Sequence, residues 1–280
     1  MPAQRPSIEF IIHWILRIGV AGCFIGHGVF GLITKMSWVP YFEVVGISEG
    51  LAYALMPLVG MMDISIGILA LLWPTRALLL WTTFWGLWTA LLRPLSGERW
   101  WELLERAGNF GVPLAMLYLS GTAPTLKAWL FQRVLPALPA ARTAQAAWIL
   151  RFTTAMLLIG HGAFGAIMHK AAWLMYLGTL SISGSTVGEL SLISIIGWFE
   201  IVLGLLVLLR PHPGVLLFVV AWKVFTELLR PLAGEPIWEF IERAGSYTAP
   251  LALFYLEPWL RQANAAHPDV MEPETRLKAL

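Results

Sequence analysis

Charge is what this sequence has least of. Asp, Glu, Lys and Arg make up 13% of its 280 residues, against about 25% in soluble domains. So little charge cannot cover a water-facing surface, which excludes a soluble enzyme and a disordered tail protein. Cysteine is nearly missing too. Cys23 stands alone, excluding an internal disulfide, a disulfide-stapled module and a Cys-x-x-Cys redox pair. The net charge is only +2 and no five basic residues run together, so nothing points to nucleic acid as a partner. A glycine-rich nucleotide loop and zinc-type His/Cys spacing are also lacking. What is abundant is apolar: 58% of residues are hydrophobic and fifteen are Trp, with a mean hydropathy of +0.71. Trp favours the membrane–water boundary. The composition predicts an integral membrane protein whose first partner is the lipid bilayer.

A duplication dominates the order of the residues. WILRIGVAGCFIGHGVFGLITK from Trp14 matches WILRFTTAMLLIGHGAFGAIMHK from Trp148, an offset of 134. TALLRPLSGERWWELLERAGNFGVPLAMLYL (89–119) matches TELLRPLAGEPIWEFIERAGSYTAPLALFYL (226–256), with 19 of 31 positions identical. The repeat also disposes of a decoy. Val20-Ala21-Gly22-Cys23 looks like a lipoprotein cleavage box, but Glu9, His13 and Arg17 precede it and the second copy has Leu157 for the cysteine. A signal segment should be uninterrupted and apolar, so a retained helix is expected.

Each half holds four apolar stretches: 9–34, 51–73, 76–92 and 98–120, then 145–168, 187–209, 213–230 and 235–258. Each is long enough, or nearly so, for a span of about 20 residues. The runs lack period-2 alternation, which argues against strands. Four crossings per half is an even number. The expected fold is all-α and integral to the membrane: about eight transmembrane helices in two parallel four-helix repeats, related by a pseudo-twofold along the membrane normal. Pro94 and Pro231 are expected to end the third helix of each half, and Pro113 and Pro250 to kink the fourth. The units read as residues 1–122, a basic interfacial linker at 123–144, a second repeat at 145–260, and a polar tail at 261–280 without fixed structure. Lys and Arg are in excess on the N-terminal side (Arg5, Arg76, Lys127, Arg133, Arg142, Arg210, Arg261, Arg276, Lys278). That predicts both termini in the cytoplasm of a bacterial-type inner membrane.

Ionisable residues inside spans are costly and usually pair. Arg17 and Asp63 fall at matched depths on neighbouring antiparallel helices, which predicts an ion pair; Arg151 and Glu200 repeat it. Both acids stand in a Gly-x-x-acid-x-x-x-Gly frame, Gly60/Asp63/Gly67 and Gly197/Glu200/Gly204. That spacing puts small residues on one face, where another helix can approach. Pinning two helices together explains such pairs as readily as function does. The halves differ at Lys223 and Glu227, where the first half has Gly86 and Ala90. This asymmetry hints that only one half carries a working site.

Two further motifs occur twice. IGHGxFG places His27 and His161 between glycines, able to ligate, relay protons or bond a neighbouring helix. His13 and His27 are fourteen residues apart, a spacing suited to stacked haems, but the position matching His13 is Ala147, which disfavours haem. RPLxGExxWExxERAG sets Glu98, Glu102 and Glu105 on one helix face, as it does Glu235, Glu239 and Glu242. Glu102 can pair with Arg106 and Glu239 with Arg243. Acids at a helix start also suit its dipole. The deeper Glu105-Arg106 and Glu242-Arg243, with His27 and Arg93 or His161 and Arg230, are the candidates for proton chemistry in a polar pocket. The adjacent arginines favour ion pairing over metal ligation.

An early Arg, a His-Gly followed by Lys, and the Gly-x-x-acid-x-x-x-Gly frame resemble the DoxX-like family of small four-helix membrane proteins. Arg17, His27-Gly28 with Lys35, and Asp63 carry the likeness, as do Arg151, His161-Gly162 with Lys170, and Glu200. It covers the first two helices of each half. The resemblance implies a membrane subunit or anchor associated with an oxidoreductase, with a quinone as ligand and a soluble or membrane redox subunit as partner. Trp85, Trp88, Trp100, Trp101, Trp222 and Trp238 could then pack a flat ring, although tryptophans at such depths often only pack. Two other readings stay open: a carrier or channel for a small solute or protons, and a non-catalytic scaffold.

Overall fold

The computed structural model describes residues 6–181 and 186–266, and every regular element among them is a helix. Ser7 caps the first, α1 (Ile8–Leu32), by accepting the Phe10 N–H at 3.3 Å. A 3-10 turn at Met36–Trp38 leads into the short α2 (Val39–Glu43), and α3 (Glu49–Leu72) follows. Thr75 caps α4 (Arg76–Leu95). Two pieces come next, α5 (Trp101–Glu105) and α6 (Ala107–Ser120), and then α7 (Leu126–Phe131) within the linker. The second half runs α8 (Ala140–Ala166), α9 (Ala171–Thr179), α10 (Thr186–Leu209), α11 (Pro213–Leu232), α12 (Trp238–Ile241) and α13 (Ala244–Ala266). Four of these, α1, α3, α8 and α10, are long and apolar enough to cross a bilayer. That fits a membrane protein.

Three sequence expectations change. Pro94 and Pro231 sit inside the last turns of α4 and α11, which run on to Leu95 and Leu232. A proline this close to a helix end forfeits little of the ladder. The fourth stretch of each half is not one helix. Its ladder breaks at Arg106 between α5 and α6, and at Glu242–Arg243 between α12 and α13, ahead of Pro113 and Pro250. At 1.5 Å per residue, α6 is only about 21 Å long. Finally, 261–266 continue α13; the rest of the expected tail, with Arg276 and Lys278, lies outside the described residues, as does Arg5.

Glycine sets the register of α1 on α3. A Cβ on Gly28 would meet the Gly60 carbonyl and Ile64, and one on Gly67 would lie 3.1 Å from the Ala21 carbonyl and the Ile25 nitrogen. Only a bare backbone allows this approach. Gly162 meets Gly197 in the same way between α8 and α10. The halves join through α1, which packs on α12 and α13, and through α8, which packs on α5 and α6. At the centre Gly108 faces Gly245. A shared apolar core runs between them through Leu16, Val20, Val112, Leu150, Leu158 and Leu253, while Leu58, Phe84, Ile195 and Val202 point outward.

Candidate functional site

The α1–α3 register brings together partners that depth alone does not. Asp63, fully buried, meets His27 Nδ1 at 2.8 Å through one oxygen and accepts the Trp85 Nε1–H at 2.9 Å through the other. Glu200 repeats the arrangement with His161 Nδ1 at 2.6 Å and Trp222 Nε1 at 2.7 Å. The expected Arg17–Asp63 and Arg151–Glu200 pairs do not form. Arg17 lies level with the end of α3, donates to the Ala70 carbonyl at 3.3 Å and to that of Leu71, and stacks on Trp14. A guanidinium there suits the negative end of the α3 dipole. Arg151 pairs instead with Glu257 at 2.6 Å. Counting inward from the helix ends misjudged the register by about two turns, because the glycine contacts fix it elsewhere.

His27 faces a cavity of about 260 Å³. Trp38, Trp85 and Trp88 wall it with flat rings, Val45, Ile47 and Leu55 add aliphatic surface, and Arg93, Arg106 and Asn109 bring N–H groups to its lining. The His27 ring stacks on Trp38, centroids 4.4 Å apart. With Nδ1 on Asp63, His27 Nε2 has no partner among the described residues. Tyr41 also lines the cavity; it accepts from Arg93 Nη1 at 2.8 Å and donates to Glu98. Burial pushes the Tyr41 phenol up to about 12, so it stays a donor. A smaller gap of about 10 Å³ lies among His27, Glu105, Arg106, Glu242 and Arg243, room for one water.

The corresponding cavity of the second half is only about 60 Å³. The asymmetry at Lys223 and Glu227 accounts for the difference. Glu227, fully buried, lies 2.7 Å from Lys223 Nζ, 2.7 Å from Arg230 Nε, 3.3 Å from Arg243 Nε and 3.7 Å from His161 Nε2. It draws inward the arginines whose counterparts, Arg93 and Arg106, line the open cavity of the first half.

The duplicated Glu/Arg block ties the halves together. Arg106 pairs with Glu102 at 3.0 Å and Glu105 at 2.7 Å, and Arg243 with Glu239 at 2.7 Å and Glu242 at 2.8 Å. Three contacts cross between halves: Arg243–Glu105 at 3.1 Å, Lys35–Glu239 at 2.6 Å and Lys170–Glu102. Glu98 and Glu235 do not share the helix face expected for them. They precede α5 and α12 and pair with Arg93 and Arg230 at 3.4 and 3.5 Å. Among the described residues, no group of three His, Cys, Asp or Glu side chains could hold a metal ion.

Of the tryptophans singled out for a flat ring, only Trp85 and Trp88 line the larger cavity, and Trp222 the smaller. Trp100 is exposed, and Trp101 and Trp238 pack against apolar clusters. Sequence reasoning missed Trp38, Tyr41 and Asn109. The first two had a signal: Trp173 and Tyr176 repeat them in the second half and line its cavity. The chain matches no protein-family model, no curated protein and no solved structure.

Proposed function

We propose that this chain is a membrane-embedded, quinone-linked subunit of an oxidoreductase system, with the first-half cavity as the site for the quinone ring. The observation that carries the reading is the pairing of flat aromatic walls with His27, Arg93, Arg106 and Asn109 around one space of about 260 Å³. A quinone needs apolar faces for its ring and N–H donors for its two carbonyl oxygens. Its quinol form needs a base. His27 suits that role, because Asp63 fixes the ring through Nδ1, leaves Nε2 to take the hydroxyl proton, and stabilises the imidazolium that results. The gap between His27 and Glu105/Glu242 offers such a proton a way on. The two electrons released as the quinol is oxidised would pass to a partner redox subunit.

In this reading the chain is a tandem-duplicated DoxX-like protein of a bacterial-type inner membrane, both termini cytoplasmic. Here α4, α6, α11 and α13 join the four long apolar helices to make about eight crossings, in two parallel repeats about a pseudo-twofold. The reciprocal contacts of α1 with α12 and α8 with α5 support that arrangement. A second reading, a scaffold, is favoured by a different observation: each glutamate of the repeated block is taken up by an arginine or lysine, three times across the halves.

Extraction of the purified protein with organic solvent, followed by mass spectrometry, tests for a retained quinone, and calorimetric titration with a short-chain ubiquinone measures affinity. Binding is expected to weaken about tenfold or more in His27→Ala, the loss of one hydrogen bond to a charge-assisted partner, and to persist in His161→Ala. If the wild-type protein neither retains nor binds quinone, this reading fails and the scaffold reading stands.

A further inference from the structure

At the opposite end of α4 from the quinone-sized cavity, the linker folds over a second space. Arg76 opens α4 and Arg93 lies near its close, about 25 Å apart along the helix. This second space is about 170 Å³, and Arg76, Arg133 and Arg142 all line it, together with Gln132 and Ser120. No carboxylate lines it, and none of the three arginines forms an ion pair among the described residues.

The arginines are placed by the fold. Arg76 donates from Nε to the Gly121 carbonyl and from Nη2 to that of Ser120, both at 2.9 Å. Its Nη1 is fully buried and has no hydrogen-bond partner among the described residues. Arg133 is held by its bridge to Thr75 and by Val134 N–H donating to the Pro74 carbonyl at 2.8 Å. Arg142, near the start of α8, lies against Gly121, where a Cβ would strike its guanidinium. Three like charges converging on one space repel, and a buried guanidinium N–H without an acceptor costs free energy. An anion with several acceptor oxygens removes both penalties, and guanidinium groups match phosphate geometry.

We propose that this space binds a phosphate group, one held by Arg76, Arg133 and Arg142 with Gln132 as a further donor. The inference does not rest on the quinone reading, since the two spaces share no residue. The linker argues for a phosphate carried at the membrane surface. Leu126 and Phe131 of α7, and Leu135 after it, are largely exposed, as expected of a segment dipping its apolar side into the headgroup layer. In the second half Pro213 stands where Arg76 does in the first.

The test uses the full chain in detergent, with thermal unfolding and native mass spectrometry as readouts. Its arms are phosphatidylglycerol, phosphatidylcholine, and inorganic phosphate at matched ionic strength. Phosphatidylglycerol is expected to raise the unfolding midpoint and stay bound, with phosphatidylcholine as the blank. Arg76→Gln and Arg142→Gln should each weaken retention about tenfold or more, and Arg99→Gln, an exposed arginine elsewhere, should not. A response to phosphatidylglycerol alone assigns the site to a lipid headgroup. A response to inorganic phosphate as well assigns it to the free anion; both outcomes support a phosphate site. Arg142 makes no side-chain hydrogen bond to the described residues, so its variant keeps the test decisive if Arg76→Gln fails to fold. No response to either phosphate source, or an unchanged response in Arg142→Gln, overturns the proposal.

Discussion

Glu227 holds three cations, but only one of them depends on it. Arg230 keeps Tyr176 and Glu235, and Arg243 keeps Glu105, Glu239 and Glu242. Lys223 has no other carboxylate within ion-pair distance among the described residues, and it is 2% exposed. Glu227→Leu therefore strands a buried ammonium, which costs about 3–5 kcal/mol. With about 2–4 °C per kcal/mol for a chain of this size class, the midpoint should fall by about 6–20 °C. Lys223→Met/Glu227→Leu removes both charges and should return to within about 1 kcal/mol of the wild type, since a buried pair often exchanges for apolar residues at little cost. The first half is the internal precedent: with Gly86 and Ala90 at these positions, Arg93 still folds against Tyr41 and Glu98. Thermal unfolding in detergent, monitored by circular dichroism, measures all three variants. A silent single variant, or a double variant as unstable as the single, would refute the reasoning.

Two further outcomes are expected. In double-mutant cycles, Asp63→Asn should couple to His27→Ala by about 0.5–3 kcal/mol and be additive with Arg17→Met to within about 0.5 kcal/mol; the reverse pattern would restore the Arg17–Asp63 pair. Tyr41, with its phenol raised to about 12 in the folded chain, contributes stability that is complete below pH 10 and lost as pH rises from about 10 to 12. Tyr41→Phe should remove one phenol titrating near pH 12 from the ultraviolet absorbance curve, and loss of a phenol titrating near 10 would contradict its burial.

The helices were legible because apolar length and composition leave few alternatives in a chain this poor in charge. The repeat was legible because two blocks of 31 residues align without a gap. What a one-dimensional reading could not supply was register. Arg17 and Asp63 look level when counted from helix ends, yet Gly28, Gly60 and Gly67 slide α1 along α3 until His27 is the residue beside Asp63. The glycines mark a face for close approach in the sequence, and the closeness of that approach decides the partner. The break at Arg106 was hidden for a related reason. Glu98, Glu102 and Glu105 read as one helical face, but besides Arg106 the partners of Glu102 and Glu105 lie beyond α8 and just before α13, more than sixty residues away.

The duplication explains how one site could open while its copy filled. Two of the contacts between the halves rest on residues kept in both copies: Lys35 and Lys170 reach Glu239 and Glu102. The faces of α4 and α11 lie outside those contacts, so they could change without separating the halves. Ala90→Glu tests this directly by giving the first half the acid of the second. By the precedent of Glu227, its carboxylate should reach Arg93 and the free Nε2 of His27 and draw both away from the cavity. Quinone affinity should drop about tenfold or more in a protein that still unfolds cooperatively, because Arg93 supplies the opposite charge that Glu227 finds in Arg230. Unchanged affinity in a folded Ala90→Glu protein would mean that Glu227 is not what fills the second site.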